Sequence, residues 1–397
     1  MFTCPIDGES LTFRKQAGLS IEEPFFFGDS FLHTGDASRS NGGFPERQAW
    51  SRPDPLLIGL EAPLSGEQRA NGRDMWRGAK LAAEQINLEG GILGRRVKLL
   101  RADDQADPER ALPVARSLRR RGADAVIGPY NSAVGVINLP WYVDQKILPV
   151  HLTSTNQTDG LGVTVQPKND QIAPVDIAYI TSREVKRVSM LVDPSDFTSD
   201  LADQVEKGLK ADGVEVKRFS ITPGSADYQA EIAQALDSNP QLVYSSSYYP
   251  EGSKIARALV ASGTAAEPFM CLSNVDAAFV TEAGLKVARR CTFSGTPESA
   301  QLPDAQNYVN AYRGRFDREP NVWGAFTYDS LKLLDTTMEE VGSTRYKTVL
   351  DQLRQTTGYE GQTGRISIDA ITGNRVKVPV FALRVNGQGD FVVKDDA

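Results

Sequence analysis

Only two His and three Cys occur in 397 residues. That scarcity argues against a His/Cys metal site and against a multi-disulfide framework. Positive charge is not in excess either: 44 Lys and Arg stand against 51 Asp and Glu, giving a net charge of −7. An acidic chain without a basic stripe is a poor partner for nucleic acid. No apolar run approaches the roughly 18 residues that a membrane-spanning helix needs. Templates for catalysis are missing as well, with no G-x-S-x-G elbow, P-loop, H-E-x-x-H or C-x-x-C in the sequence. What remains is a chain that is 40% apolar and long enough for two or three domains.

Residues 1–54 show no sustained hydrophobic period, and Gly, Ser, Pro and Asp are spread through them. Their most apolar stretch, Pro24-Phe25-Phe26-Phe27, is too short for a signal h-region and no basic start precedes it. The composition predicts a flexible leader. The alternatives are a start codon assigned upstream of the true signal, or a small lid.

From residue 55 strands and helices alternate. Leu56-Leu57-Ile58-Gly59-Leu60 has strand length, and Met75, Trp76, Ala79, Ala82, Ala83 and Ile86 recur at three- and four-residue steps like one buried helix face. Gly90-Gly91 suits the C-terminus of that helix. Further strands are predicted at 97–100, 125–127, 147–150, 187–192, 214–219, 241–245, 268–272 and 290–294. Helices are predicted near 171–183, 198–211, 227–237, 251–262, 303–315 and 325–341. Repeated βα units imply parallel sheets covered on both faces, and about ten strands divide best into two doubly wound lobes. Ligands of such sheets bind beyond the carboxyl ends of the strands.

The loops at those ends are polar, aromatic and mostly uncharged. They carry Tyr130-Asn131-Ser132, Thr153-Ser154-Thr155-Asn156, Ser195-Asp196-Phe197 and Ser246-Ser247-Tyr248-Tyr249. Hydroxyls and free backbone N–H groups at a helix start suit an anion, and aromatic rings suit an apolar ligand portion. His151 reads as structural or as a ligand contact rather than as a base. Asp103-Asp104, followed by the capping Asp107, reads as a turn organiser rather than a metal pair. Cys271 and Cys291 fit either a disulfide or two buried thiols on neighbouring strands.

Several of these residues resemble a known family. Ala62-Pro63-Leu64-Ser65-Gly66, Gly78-Ala79, Ile86-Asn87, Gly90-Gly91-Ile92-Leu93-Gly94, Asp103-Asp104 with Asp107-Pro108, and Ile127-Gly128 with Ser132 follow one another as in type I periplasmic binding proteins. The resemblance is to the leucine/isoleucine/valine-binding branch and runs from about residue 55 to 393. It implies an α/β fold of two doubly wound parallel-sheet lobes joined by a three-segment hinge. The lobes would comprise 55–170 with 296–375, and 171–295 with 376–397.

By the same resemblance, Ser132 and the Thr153–Thr155 loop would bind a ligand carboxylate, with Phe197 and Tyr248 covering it from the second lobe. Asn131 stands beside them, in the place of one half of the branch's disulfide. The acidic residue that anchors an α-ammonium in the family is replaced by Ser273, with Asp276 as the nearest acid, free to move in or to cap a helix. Asn71 replaces an aromatic of the first loop. The expectation is a non-enzymatic, extracytoplasmic receptor of an ABC importer that grips a small carboxylate-bearing solute, an amino acid or analogue, and works with ABC permease subunits. Neither metal nor cofactor is implied. A cytoplasmic amide or small-molecule sensor on the same fold is the alternative, favoured by the missing signal.

Overall fold

The computed structural model describes Phe2–Thr3, Ser10–Leu11 and residues 54–394. The first two segments, β1 (Phe2–Thr3) and β2 (Ser10–Leu11), pair antiparallel. Otherwise the leader expected over 1–54, Asp54 aside, lies outside the described residues.

The body begins with β3 (Leu56–Ala62), α1 (Arg69–Leu88), β4 (Val97–Asp103), α2 (Ala111–Arg120), β5 (Ala125–Ile127), α3 (Ser132–Asp144), β6 (Leu148–His151) and β7 (Val163–Thr164). Its five strands form a wholly parallel sheet in the order β4-β3-β5-β6-β7. Met75, Ala79, Ala82, Ala83 and Ile86 are all buried, as the period of α1 requires. Trp76 of the same stripe is half-buried under the Arg101 guanidinium, 5.1 Å from the ring centre. Asp103 accepts from the Leu64 and Ser65 backbone and Asp104 from Ala106, so this acidic pair organises the turn beyond β4.

The second sheet is built from α4 (Asn169–Ser182), β8 (Arg187–Val192), α5 (Asp196–Ala211), β9 (Glu215–Ser220), α6 (Gln229–Asp237), β10 (Leu242–Ser246), α7 (Tyr249–Ala261), β11 (Glu267–Met270), α8 (Ala277–Ala283), α9 (Leu285–Ala288) and β12 (Thr292–Gly295). The chain then returns to the first lobe with α10 (Gln306–Phe316), α11 (Val322–Val341), α12 (Tyr346–Leu353) and the hairpin β13 (Tyr359–Gly361) and β14 (Gly364–Ile366). Finally β15 (Phe381–Val385) and β16 (Phe391–Val393) rejoin the second sheet, whose order is β16-β15-β12-β11-β10-β8-β9.

Two differences from the sequence reading have physical causes. The second sheet is mixed rather than parallel, because β15 and β16 add to its edge antiparallel through a tight turn in which the Asn386 side chain accepts from Gln388 and Asp390 N–H. The strand expected over 268–272 stops at Met270, and a 3-10 turn at Leu272–Asn274 takes the chain away from the sheet. Cys271 and Cys291 are separate buried thiols, not a bridge.

The chain runs between the sheets three times: between β7 and α4, after β12, and before β15. Helix α11 lies directly on α1. A Cβ on Gly78 would sit 1.9 Å from the Gly324 carbonyl oxygen, and the Asp74 carboxylate accepts from Gly324 N at 2.5 Å and Tyr312 OH at 2.6 Å. Two glycines therefore let the helix backbones touch. Replacing Gly78 by Ala must push them apart and should cost about 1–3 kcal/mol, read as a lower urea midpoint at unchanged slope. An unshifted midpoint would mean that α11 can slide without loss.

Candidate ligand-binding site

In each sheet the strand order reverses beside the first strand, between β3 and β5 and between β8 and β10. Doubly wound sheets gather their ligand sites at such switch points. Tyr130 and Ser132 follow β5, Phe197 follows β8 and Tyr248 follows β10. With Leu152, Ser154, Gln166, Leu272 and Trp323 they line one cavity between the lobes, whose empty space is about 210 Å³ with the solvent at its mouth included. Its aromatic wall is continuous: the Tyr130 ring lies 4.8 Å from Trp323 and 6.4 Å from Tyr248, which lies 5.7 Å from Phe197.

The polar wall belongs to the first lobe. Ser132 is the first residue of α3, where the helix dipole and unpaired N–H groups favour negative charge. Its Oγ accepts from the backbone N–H of Ser154 and Thr155 at 3.3 Å each, and donates to no group among the described residues. The loop supplying those N–H groups is held from behind by Lys168. This buried ammonium donates to the Thr155 carbonyl and to Thr158 Oγ1 (2.8 Å) and pairs with Asp159 at 3.1 Å. Burial lowers the Lys168 pKa, and Asp159 pulls it back up. Burial, together with the Lys168 charge, also holds the His151 imidazole well below its usual range, so it is neutral. Its Nδ1 meets Thr153 Oγ1 at 2.9 Å, a structural contact.

A model of the periplasmic binding protein family matches residues 55–390. The chain belongs to that family. It is 29% identical to a Leu/Ile/Val-binding protein of Rhizobium johnstonii over 297 residues, 72% of this chain and 80% of the relative. An amino acid binding protein of Pseudomonas aeruginosa is also 29% identical, over 72% of this chain and 79% of its own length. In fold the chain is similar to the leucine binding protein LivK of Thermotoga maritima, with a TM-score of 0.80 at 23% identity over 85% of this chain and 98% of that one. A solute binding protein from R. palustris, solved in complex with benzoate, superposes with a TM-score of 0.77 at 18% identity, covering 85% and 95%.

Within this periplasmic binding protein, the structure brings Ser132, Phe197 and Tyr248 together on the cavity and keeps the other expected residues off its wall. Thr153 turns inward to His151 and Thr158, and Thr155 Oγ1 caps the turn Asn156–Thr158. Ser154, between them on an extended segment, faces the cavity instead. Asn131 donates to Gln68 Oε1 at 2.8 Å, tying the start of α3 to the first loop. Asn71 donates to Tyr130 OH at 3.0 Å and so orients a lining ring. Ser273 gives its proton to the Ser247 carbonyl at 2.8 Å, beside Asn274 and Cys271, while Leu272 faces the cavity.

Asp276 takes the capping role: its Oδ1 accepts from Ala278 N at 2.6 Å, at the start of α8. The sequence reading missed Gln166 and Trp323. A signal for Trp323 exists in Asn321, which caps α11 at Val322 N and starts that helix three residues before the predicted position.

Burial, with the Asp74 charge nearby, pushes the Asp276 carboxyl up to about 7 from 3.8. Between those values the folded chain keeps a proton that the unfolded chain has lost, so stability falls as pH rises across that window. Asp276→Asn should shrink the drop in melting temperature between about pH 5 and about pH 8. An unchanged drop would assign the slope to other buried acids.

Proposed function

We propose that this chain is the substrate-binding receptor of an ABC importer for a small carboxylate-bearing solute, an amino acid or analogue. The observation that carries the reading is the start of α3. There a hydroxyl that already collects two backbone N–H groups faces an aromatic cavity without a charged wall. The ligand carboxylate would take the Ser132 proton and the N–H groups around it, while Tyr248 and Phe197 cover it from the second lobe. Residues 55–170 with 296–375 form one closing lobe in this reading, and 171–295 with the chain from 376 onward form the other. The relatives' names, Leu/Ile/Val-binding and amino acid binding, and the benzoate held by the R. palustris protein, fit a carboxylate end with a variable apolar body.

The receptor would grip its ligand without turning it over, work outside the cytoplasm and deliver to ABC permease subunits. A thermal-shift screen with amino acids, short-chain amides, urea and aromatic acids identifies the binders, since a ligand raises the melting temperature by mass action. For the best binder, Ser132→Ala should weaken affinity by about 1–3 kcal/mol, read by calorimetry. Equal affinity of mutant and wild type would remove Ser132 from the site. Fractionation with mass spectrometry of the mature N-terminus tests the location, and an intact cytoplasmic chain would overturn it.

A further inference from the structure

None of the nine side chains that line the cavity carries a formal charge at neutral pH. Two of their polar atoms are buried without any partner: Gln166 Oε1 and Trp323 Nε1. Each residue is only 2% exposed. A buried polar atom left unmet forfeits its solvation, so one in a cavity wall is met by water or by a ligand.

The chemistry of each atom is fixed by its surroundings. Gln166 Nε2 donates to the Leu152 carbonyl, which can only accept, and to Ser154 Oγ at 2.9 Å. Ser154 spends its own proton on the Pro167 carbonyl at 2.8 Å, so it too must accept from Gln166. Both amide hydrogens are therefore used, and Oε1 remains as a pure acceptor. The Trp323 indole N–H is a pure donor, and its ring is wedged 4.8 Å from Tyr130 and 5.9 Å from Phe326.

With the carboxylate spent on Ser132 and the N–H groups beside it, a ligand that also satisfies both atoms needs one further donor and one further acceptor. An α-ammonium supplies a donor but no acceptor, and it brings a full charge to a wall without a carboxylate. Asp159, the acid behind that wall, is already paired with Lys168 at 3.1 Å, and Asp276 is committed to the cap of α8, so neither is offered to it. A hydroxyl supplies both roles and no charge. We infer that the ligand is a hydroxylated carboxylic acid, read by Gln166 Oε1 and Trp323 Nε1, in preference to the amino acid of the same skeleton. This rests on the receptor reading above and makes Gln166 and Trp323 its specificity-determining residues.

Calorimetry of the full chain with matched triads tests it: lactate, alanine and propionate; leucic acid, leucine and isocaproate; phenyllactate, phenylalanine and phenylpropionate. In any skeleton that binds, the hydroxy compound should be about 10-fold or more tighter than both its companions. Trp323→Phe keeps the ring and removes the N–H, and should bring the hydroxy compound to within about 3-fold of the unsubstituted acid. An amino acid that binds as tightly as its hydroxy analogue overturns the inference and leaves the receptor reading intact. So does a hydroxy advantage that survives Trp323→Phe. Failure of every triad to bind overturns the inference as well, while the receptor reading stands or falls on the wider thermal-shift screen.

Discussion

The ammonium of Lys168 is the constraint around which the site is built. Taking a charge out of water costs several kcal/mol unless it is paired and hydrogen-bonded, and here it has Asp159, Thr158 Oγ1 and the Thr155 carbonyl. Meeting those three partners fixes the course of the chain from Thr155 to Asp159. That course aims the Ser154 and Thr155 N–H groups at Ser132. The same charge helps to keep His151 neutral, so Nδ1 can serve as an acceptor for Thr153. Lys168 also sits at the N-cap of α4, where the chain first enters the second lobe. One buried cation thus links the start of α3 to the hinge.

A second buried cation joins two of the hinge passages. Arg375 lies just before the last passage and donates to the Val165 carbonyl of the first, to both oxygens of Thr363 and to the Arg365 carbonyl. Asp329 faces it across Thr363, whose N–H and hydroxyl it accepts. Passages tied at one point bend together, which suits a hinge better than independent linkers do. Contacts across the cleft mouth are weaker. Asn156 and Gln157 reach Asp200 and Asp196 only at 3.4 Å, Gln204 reaches Asn156 at 3.3 Å, and Tyr249 makes a short bond to the Glu67 carbonyl at 2.6 Å. Bonds at the long limit of the hydrogen-bond range cost little to break when the lobes open.

The alternation of elements was legible in the sequence because βα units have strong periods and sharp ends. The Met75–Ile86 stripe and the strands at 125–127 and 187–192 lie where periodicity puts them. The antiparallel edge was not legible, since β15 and β16 have five and three residues, and β15 pairs with a strand far away in sequence while β16 pairs with β15 alone. Within the site, loops could be read but side-chain directions could not. Thr153, Ser154 and Thr155 are chemically alike, and which of them faces the cavity depends on Lys168 and His151, thirteen residues on and two back from Thr155 or Thr153. Gln166 was invisible for a similar reason: its role follows from what Leu152 and Ser154 take from it, and neither is near in sequence.

The surroundings of Ser273 do not suit the acid that the family resemblance would put there. Ser273, Asn274 and Cys271 all converge on the Ser247 carbonyl, and Asn274 fills the space that a Cβ on Gly252 would occupy, 1.8 Å away. A carboxylate at 273 would give up the bond to Ser247 and would have to be buried among groups that present no cation. Leu272 already occupies the wall where an anchor would project. The nearest acid, Asp276, is committed to the first turn of α8. The second lobe therefore presents only apolar and aromatic side chains to the cavity, and the polar choices are left to the first lobe, Trp323 among them. Selectivity then rests on desolvation: any group whose charge the first lobe cannot meet is kept out by the cost of leaving water.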